Sequence, residues 1–119
     1  MAQKNPQAYL RDMLDNAYFV RSYCQDKSRQ DIIEDKPTRF VVERGIQNIG
    51  EAAFQLRRTG ADCLSVVPDY DRVIATRHVL VHAYDEVKPR VLWDIVTIHL
   101  PELISALDQY FEKMNDASA

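Results

Sequence analysis

Residues 37–60 read PTRFVVERGIQNIGEAAFQLRRTG, and this stretch decides the fold. Val42, Ile46, Ile49, Ala53 and Leu56 recur at alternating steps of four and three, which places them on one stripe of a helix. Pro37-Thr38 opens the segment, and Gly60 supplies the glycine that commonly ends a helix. Gly45 and Gly50 lie inside, each costing about 1 kcal/mol relative to alanine. Together with Ala52 and Ala53 they make sense if another helix or a ligand comes close.

The rest of the chain punctuates itself in the same way. Asn5-Pro6 reads as an N-cap followed by proline at the first helical position, and Leu10, Met13, Leu14 and Ala17 form one face of a helix ending near Tyr23 or Cys24. Asp26 to Lys36 is highly charged, with Ile32 and Ile33 as its apolar anchors, and reads as a loop with one short helical turn. Val66-Val67-Pro68-Asp69 reads as a loop ending in an Asp N-cap. The helix that follows takes Val73, Ile74, Leu80 and Val81 as its apolar positions and fades near Tyr84. Pro89 starts a last helix in which seven of the ten residues from Val91 to Leu100 are apolar, too many for one side. That helix is therefore central or also faces a second chain. It continues through Leu103, Leu107 and Tyr110 or Phe111, and Pro101 predicts a kink because it removes the hydrogen bond to the carbonyl of Thr97. Residues 113–119 read as a frayed, disordered tail. No repeat or alternating pattern competes, so the expected fold is an all-α, antiparallel, up-and-down four-helix bundle occupying residues 1–119 as one domain, with a core over 6–112.

Composition agrees with an ordinary globular domain: 119 residues, 46% hydrophobic and 28% charged, which excludes disordered, collagenous and disulfide-scaffold classes. A chain of this length buries roughly two-thirds of its unfolded surface without help from disulfides or metal. No apolar run reaches membrane-spanning length and no signal-peptide pattern opens the chain, so a cytoplasmic location is expected. Cys24 and Cys63 form no CxxC pair and read as reduced, small apolar residues. Fifteen basic against 18 acidic residues give a net charge of −3, so the overall field does not recruit nucleic acid. The distribution is uneven, with four Arg against two Glu from Arg39 to Arg58.

One segment carries recognisable chemistry: Arg77-His78-Val79-Leu80-Val81-His82-Ala83-Tyr84. Histidine titrates near neutrality and can move the proton of a ribose 2′-hydroxyl or of a leaving oxygen. Arginine can hold the non-bridging oxygens of a phosphodiester as charge builds. Five helical steps turn a side chain by about 140°, so Arg77 and His82 do not share a face of one regular helix. Either the helix loosens before His82 or the site is completed across a symmetric dimer. Blander readings exist for each residue: a hydrogen-bonded core histidine, an ion pair of Arg77 with Asp71 or Glu86, and a core tyrosine. A zinc site on His78 and His82 with Asp85 or Glu86 lacks the HExxH glutamate and a well-spaced third ligand, so no metal or other cofactor is expected.

Arg77-x4-His82-x-Tyr84 resembles the R-x4-H-x-Y signature of the HEPN superfamily in the form carried by HepT-like toxins. His78 stands where that family often has Asn or another polar residue. Arg44-Gly45-Ile46-Gln47-Asn48-Ile49-Gly50-Glu51-Ala52-Ala53 is similar to the family's second-helix pattern ending in I-G-E-A-A. Val91-Leu92-Trp93-Asp94-Ile95-Val96 with Leu100-Pro101-Glu102-Leu103 resembles its fourth helix, and the three blocks span residues 8 to 112 in order. The resemblance implies a homodimer with a cleft at its interface and a metal-independent ribonuclease toxin of a type VII toxin–antitoxin system. In that role His82 is the acid/base group, Arg77 stabilises the phosphate and His78 assists. The implied partner is a minimal, MntA-like nucleotidyltransferase antitoxin that adds AMP to the hydroxyl of Tyr84, placing bulk and negative charge beside the site. Glu51, a charge between Gly50 and Ala52 in the matched block, is a further candidate for the cleft. RNA would be held by a local arginine patch such as Arg44, Arg57, Arg72 and Arg77. The alternative is a non-catalytic subunit that binds substrate or nucleotide for the transferase.

Overall fold

A computed structural model describes residues 5–118, apart from the side chains of Tyr84, Ala117 and Ser118. It is an all-α bundle. Helix α1 spans Pro6–Tyr23, α2 Arg29–Glu34, α3 Lys36–Thr59, α4 Tyr70–His82, α5 Pro89–Asp94 and α6 Leu100–Ser118. Short 3₁₀ turns occupy Asp62–Val66 and Tyr84–Glu86, and a π-helical segment, Ile95–His99, joins α5 to α6 in one long rod. The long rods are thus α1, α3, α4 and the α5–α6 unit.

Helix α3 is the central element. Val42, Ile46, Ile49, Ala53 and Leu56 are all buried, as their stripe requires. Val20 of α1 meets Gly45, and the amide of Asn48 donates to Oδ1 of Asn16 at 3.0 Å, so α1 and α3 run in opposite directions. On the other flank Gln47 donates to the carbonyl of Leu80 while Arg57 faces Asp71, which makes α4 antiparallel to α3 as well. Leu10, Met13, Leu14 and Ala17 close the core from α1, and Leu92, Leu100, Leu103 and Leu107 close it from the last rod. Fully burying a side chain of this size contributes about 1.5–3 kcal/mol.

Several boundaries differ from expectation for local reasons. The Asp26–Lys36 segment is not mainly loop but holds α2. The Ser28 hydroxyl accepts from the Asp31 amide while the Asp31 carboxylate accepts from the Ser28 amide at 2.7 Å, a reciprocal cap, and Ile32 is the buried anchor. Asp69 precedes α4, but its side chain does not cap the helix: its φ of 53° is left-handed, and its carboxylate faces Arg72 at 3.7 Å. Val81 is exposed rather than a core position, because only Ile74 and Leu80 of α4 are fully turned inward. The tail expected over 113–119 instead continues α6 through Ser118.

The irregularity expected at Pro101 takes the form of a wide turn just before it. There the Leu100 amide donates to the carbonyl of Ile95, five residues back, and the Thr97 hydroxyl donates to the carbonyl of Trp93 at 2.8 Å. Leu92, Val96 and Leu100 are spaced by four, which in a regular helix would drift by about 40° at each step. The wide turn cancels that drift and keeps all three buried. Val91 and Ile98 remain exposed, so the surplus apolar surface is only partly used within one chain.

Both cysteines are free. Burial, reinforced by Asp26 and opposed by Lys27, raises the Cys24 thiol above its ordinary range, and burial likewise raises Cys63. The protonated thiol is the form the fold favours, so this contribution to stability is present below the usual thiol range and is lost as pH rises through the raised one. Cys63, only half-buried, should be alkylated first at mildly alkaline pH, and Cys24 only after denaturation, as peptide mass spectrometry would record. Equal labelling of both in the native protein would contradict the packing at Cys24.

Candidate active site

Helix α4 places Arg77, His78 and His82 through its crossing with α3. The contact depends on Gly50: a Cβ built there would lie 2.1 Å from Cβ of Arg77, 2.9 Å from its Cγ and 3.1 Å from the carbonyl oxygen of Val73. Glycine lets the stem of Arg77 rest directly on the backbone of α3. The Arg77 guanidinium then reaches Glu51 at 2.7 Å and lies 5.5 Å from the ring centre of Phe54. Glu51 is itself fixed by the amide of Gln55, 2.9 Å away. Arg77 is therefore a half-buried, oriented cation with further N–H donors available for a phosphate.

His82 is the last residue of α4 and is exposed. Its ring lies 4.5 Å from that of His78, centre to centre, one helical turn back. The helix stays regular up to this point: the Ala83 amide donates to the carbonyl of Val79 at 2.7 Å, and the backbone then leaves the helical region. No loosening before His82 brings it onto the face of Arg77. Within one chain the guanidinium faces α3 and the two imidazoles face outward.

The connection after α4 is fastened from α3. Arg39 pairs with the buried carboxylate of Glu43 at 2.5 Å and donates to the carbonyl of Val87 at 3.1 Å. That clamp fixes the far end of the turn opened by the backbone of Tyr84; the Tyr84 side chain lies outside the described residues.

Glu51, expected as a cleft residue, also lines a shallow recess of about 250 Å³ with Tyr9, Asn16 and Asn48 between α1 and α3. Asp71 does not pair with Arg77; it faces Arg57 at 3.5 Å, with both side chains largely exposed. Of the expected arginine patch, Arg44 is exposed and Arg72 turns toward Asp69, whereas Arg57, like Arg77, lies over the ring of Phe54. A second cavity, of about 390 Å³, opens between α4 and the last rod, near Arg72, Thr76, Arg90 and His99, and none of Arg77, His78 and His82 lines it. Among the described residues no three His, Cys, Asp or Glu side chains gather as a metal site, and no helix is long and apolar enough to cross a membrane. The residue that sequence reading missed is Phe54. Its spacing of three and four before Arg57 and Arg58 was the available signal.

The all-α bundle agrees with the fold of HEPN-type ribonucleases. The "Ribonuclease HepT-like" family model matches residues 13–110, and the chain belongs to that family. It is similar to "Probable ribonuclease HepT" of Thermococcus cleftensis, with 30% identity over 95 residues, covering 80% of this chain and 86% of that one. It is also similar to two proteins of Methanocaldococcus jannaschii. "Putative RNase MJ1380" is 27% identical over 103 residues, 87% of this chain and 94% of the relative. "Putative RNase MJ0127" is 28% identical over 109 residues, 92% of this chain and 89% of the relative. No solved structure gives a significant match.

Proposed function

We propose that this chain is the toxin of a two-component system, a metal-independent endoribonuclease whose site is completed when two copies meet. The observation that carries this reading is the division of labour on α4. Arg77 is held in place by Glu51 and Gly50, while the rings of His82 and His78, both exposed, lie against each other over the last turn of the helix. In one chain they face different ways, and a two-fold partner brings the outward imidazoles of one copy over the oriented guanidinium of the other. The exposed Val79, Val81, Val91 and Ile98 give such a partner apolar surface to cover.

The chemistry follows from the groups. His82 takes the proton of the ribose 2′-hydroxyl, and that oxygen attacks the adjacent phosphorus. The bond to the 5′ oxygen breaks, and a protonated imidazole, from His78 or the second copy of His82, returns a proton to the leaving oxygen. Arg77 stabilises the charge on the non-bridging oxygens. The products are a 2′,3′-cyclic phosphate and a 5′-hydroxyl, with no water or metal consumed.

Control is by modification. A nucleotidyltransferase antitoxin transfers AMP from ATP to the Tyr84 hydroxyl, forming a phosphodiester at that oxygen and releasing pyrophosphate. Tyr84 follows His82 by two residues, and its neighbours Asp85 and Glu86 are exposed, so a second enzyme can reach the turn. The added phosphate repels RNA and occupies the space in front of the imidazoles.

The test is cleavage of total and synthetic RNA by the purified chain in EDTA, with end-group analysis. Cyclic phosphate ends are expected, together with a mass increase of one or more AMP units on Tyr84 after co-expression with the transferase. Intact RNA under all conditions, alongside a stable complex with the transferase, would replace this reading with that of a non-catalytic partner subunit.

A further inference from the structure

We propose that Phe54 and the three arginines gathered on its ring, Arg57, Arg58 and Arg77, form a docking strip for the phosphates next to the one that is cut. The guanidinium carbons lie 5.8, 6.0 and 5.5 Å from the centre of that ring. This inference rests on the ribonuclease reading and extends it from the reacting phosphate to the path of the strand.

Three cations around one aromatic ring need an explanation, because they repel one another. Glu51 neutralises Arg77 closely, at 2.7 Å. Asp71 approaches Arg57 only to 3.5 Å, and its side chain is 78% exposed, so that pair is weak. No ion pair joins Arg58 to a carboxylate among the described residues. The C-terminal turn of α3 favours cations and accounts for Arg57 and Arg58 separately. It does not account for Arg77, which arrives from α4, or for the ring between them. Phe54 lends the guanidiniums a π face that orients them without cancelling their charge. The result is a local positive strip on a chain whose net charge is −3, the concentration of charge that a polyanion requires.

Position gives the strip its direction. Helices α3 and α4 are antiparallel, so passing from Arg77 toward Arg57 and Arg58 leads away from His82, along the last turns of α3. From Glu51 to Arg58 the helix advances about 10 Å. A strand held at Arg77 therefore continues over Phe54 with further phosphates beside Arg57 and Arg58. Arg44, on a different part of α3, and Arg72, turned toward Asp69, are not in this line.

The experiment measures binding of a fluorescent single-stranded oligouridylate across 50–200 mM salt in the His82→Ala background, and cleavage by the otherwise unaltered chain. Arg57→Gln with Arg58→Gln should weaken binding on the order of tenfold at low salt. It should also flatten the salt dependence by about 1.4 logarithmic units per decade, because each single-strand phosphate contact carries about 0.7. In the cleaving chain the loss should fall mainly on KM. Arg21→Gln with Arg29→Gln removes the same charge from exposed positions elsewhere and should leave the salt slope intact. Equal losses in both pairs would overturn the strip in favour of bulk charge. An unchanged slope in the Arg57/Arg58 pair, with RNA still cleaved by the parent, would overturn the strip and leave the ribonuclease standing. No binding and no cleavage by the parent would overturn both.

Discussion

His82→Ala is expected to lower the rate of RNA cleavage by a factor of about 10² to 10⁴, the usual worth of a positioned acid/base group. That factor corresponds to about 3–5 kcal/mol of barrier height. The folded protein should be almost unaffected. His82 is exposed at the end of α4, and its loss removes at most a favourable cation at a helix C-terminus, about 0.3–1 kcal/mol when protonated. Activity in EDTA and a melting curve, recorded on the same preparation, separate the two effects. Retained activity would remove His82 from the reaction.

Arg77 is a less clean target than its partner. Its stem is packed on Gly50, so Arg77→Ala deletes packing as well as charge. Arg77→Lys keeps most of the stem and the charge but loses the planar fork, which makes it the better probe of phosphate stabilisation.

The second large effect is structural. Gly50→Val should destabilise the protein by about 3 kcal/mol, at the upper end of overpacking costs, and lower the melting temperature on the order of 10 °C. The neighbours that a new side chain meets are the first carbons of Arg77 and the backbone oxygen of Val73, none of which can swing aside. Helix α4 must move off α3, and the Arg77–Glu51 pair should be lost with it. Gly50→Ala recovers about 1 kcal/mol of helix propensity, which only partly offsets the clash. Gly60→Ala is a useful contrast, for the space there is open and the penalty comes from its φ of +72°. A Gly50→Val protein with unchanged melting and activity would show that α3 and α4 do not meet as described.

Much of this was legible in the chain. The stripes of α1 and α3 are long and strongly periodic, and Asn5-Pro6 and Gly60 mark their ends, so local signals and tertiary packing agree. Gly45 and Gly50 could be read as close-approach positions because nothing else justifies their cost in a helix interior. The partner of Arg77 was not legible. Asp71 and Glu86 are nearer in sequence, but Glu51 wins because Gly50 brings α3 within reach. The π segment and the extent of α2, where one short helical turn was expected, were hidden for a different reason. One depends on a hydrogen-bond register that apolar spacing does not encode, and the other on a reciprocal cap with Asp in place of the usual Glu. His82 and Arg77 were visible as residue types, while their divergence across α4 follows from helical winding alone.

The wide turn at Ile95–His99 makes the last rod equivalent to a regular helix into which one residue has been spliced. Excising any one of those five would restore ordinary winding and leave everything beyond on nearly the same face, because five residues at the wide pitch turn about as far as four in a regular helix. Leu103 and Leu107 would then stay turned to the core, whereas the same excision within the regular turns of α6 would swing all that follows by about 100°. This short segment is therefore the place in the last rod that can lose a residue without turning its core face outward.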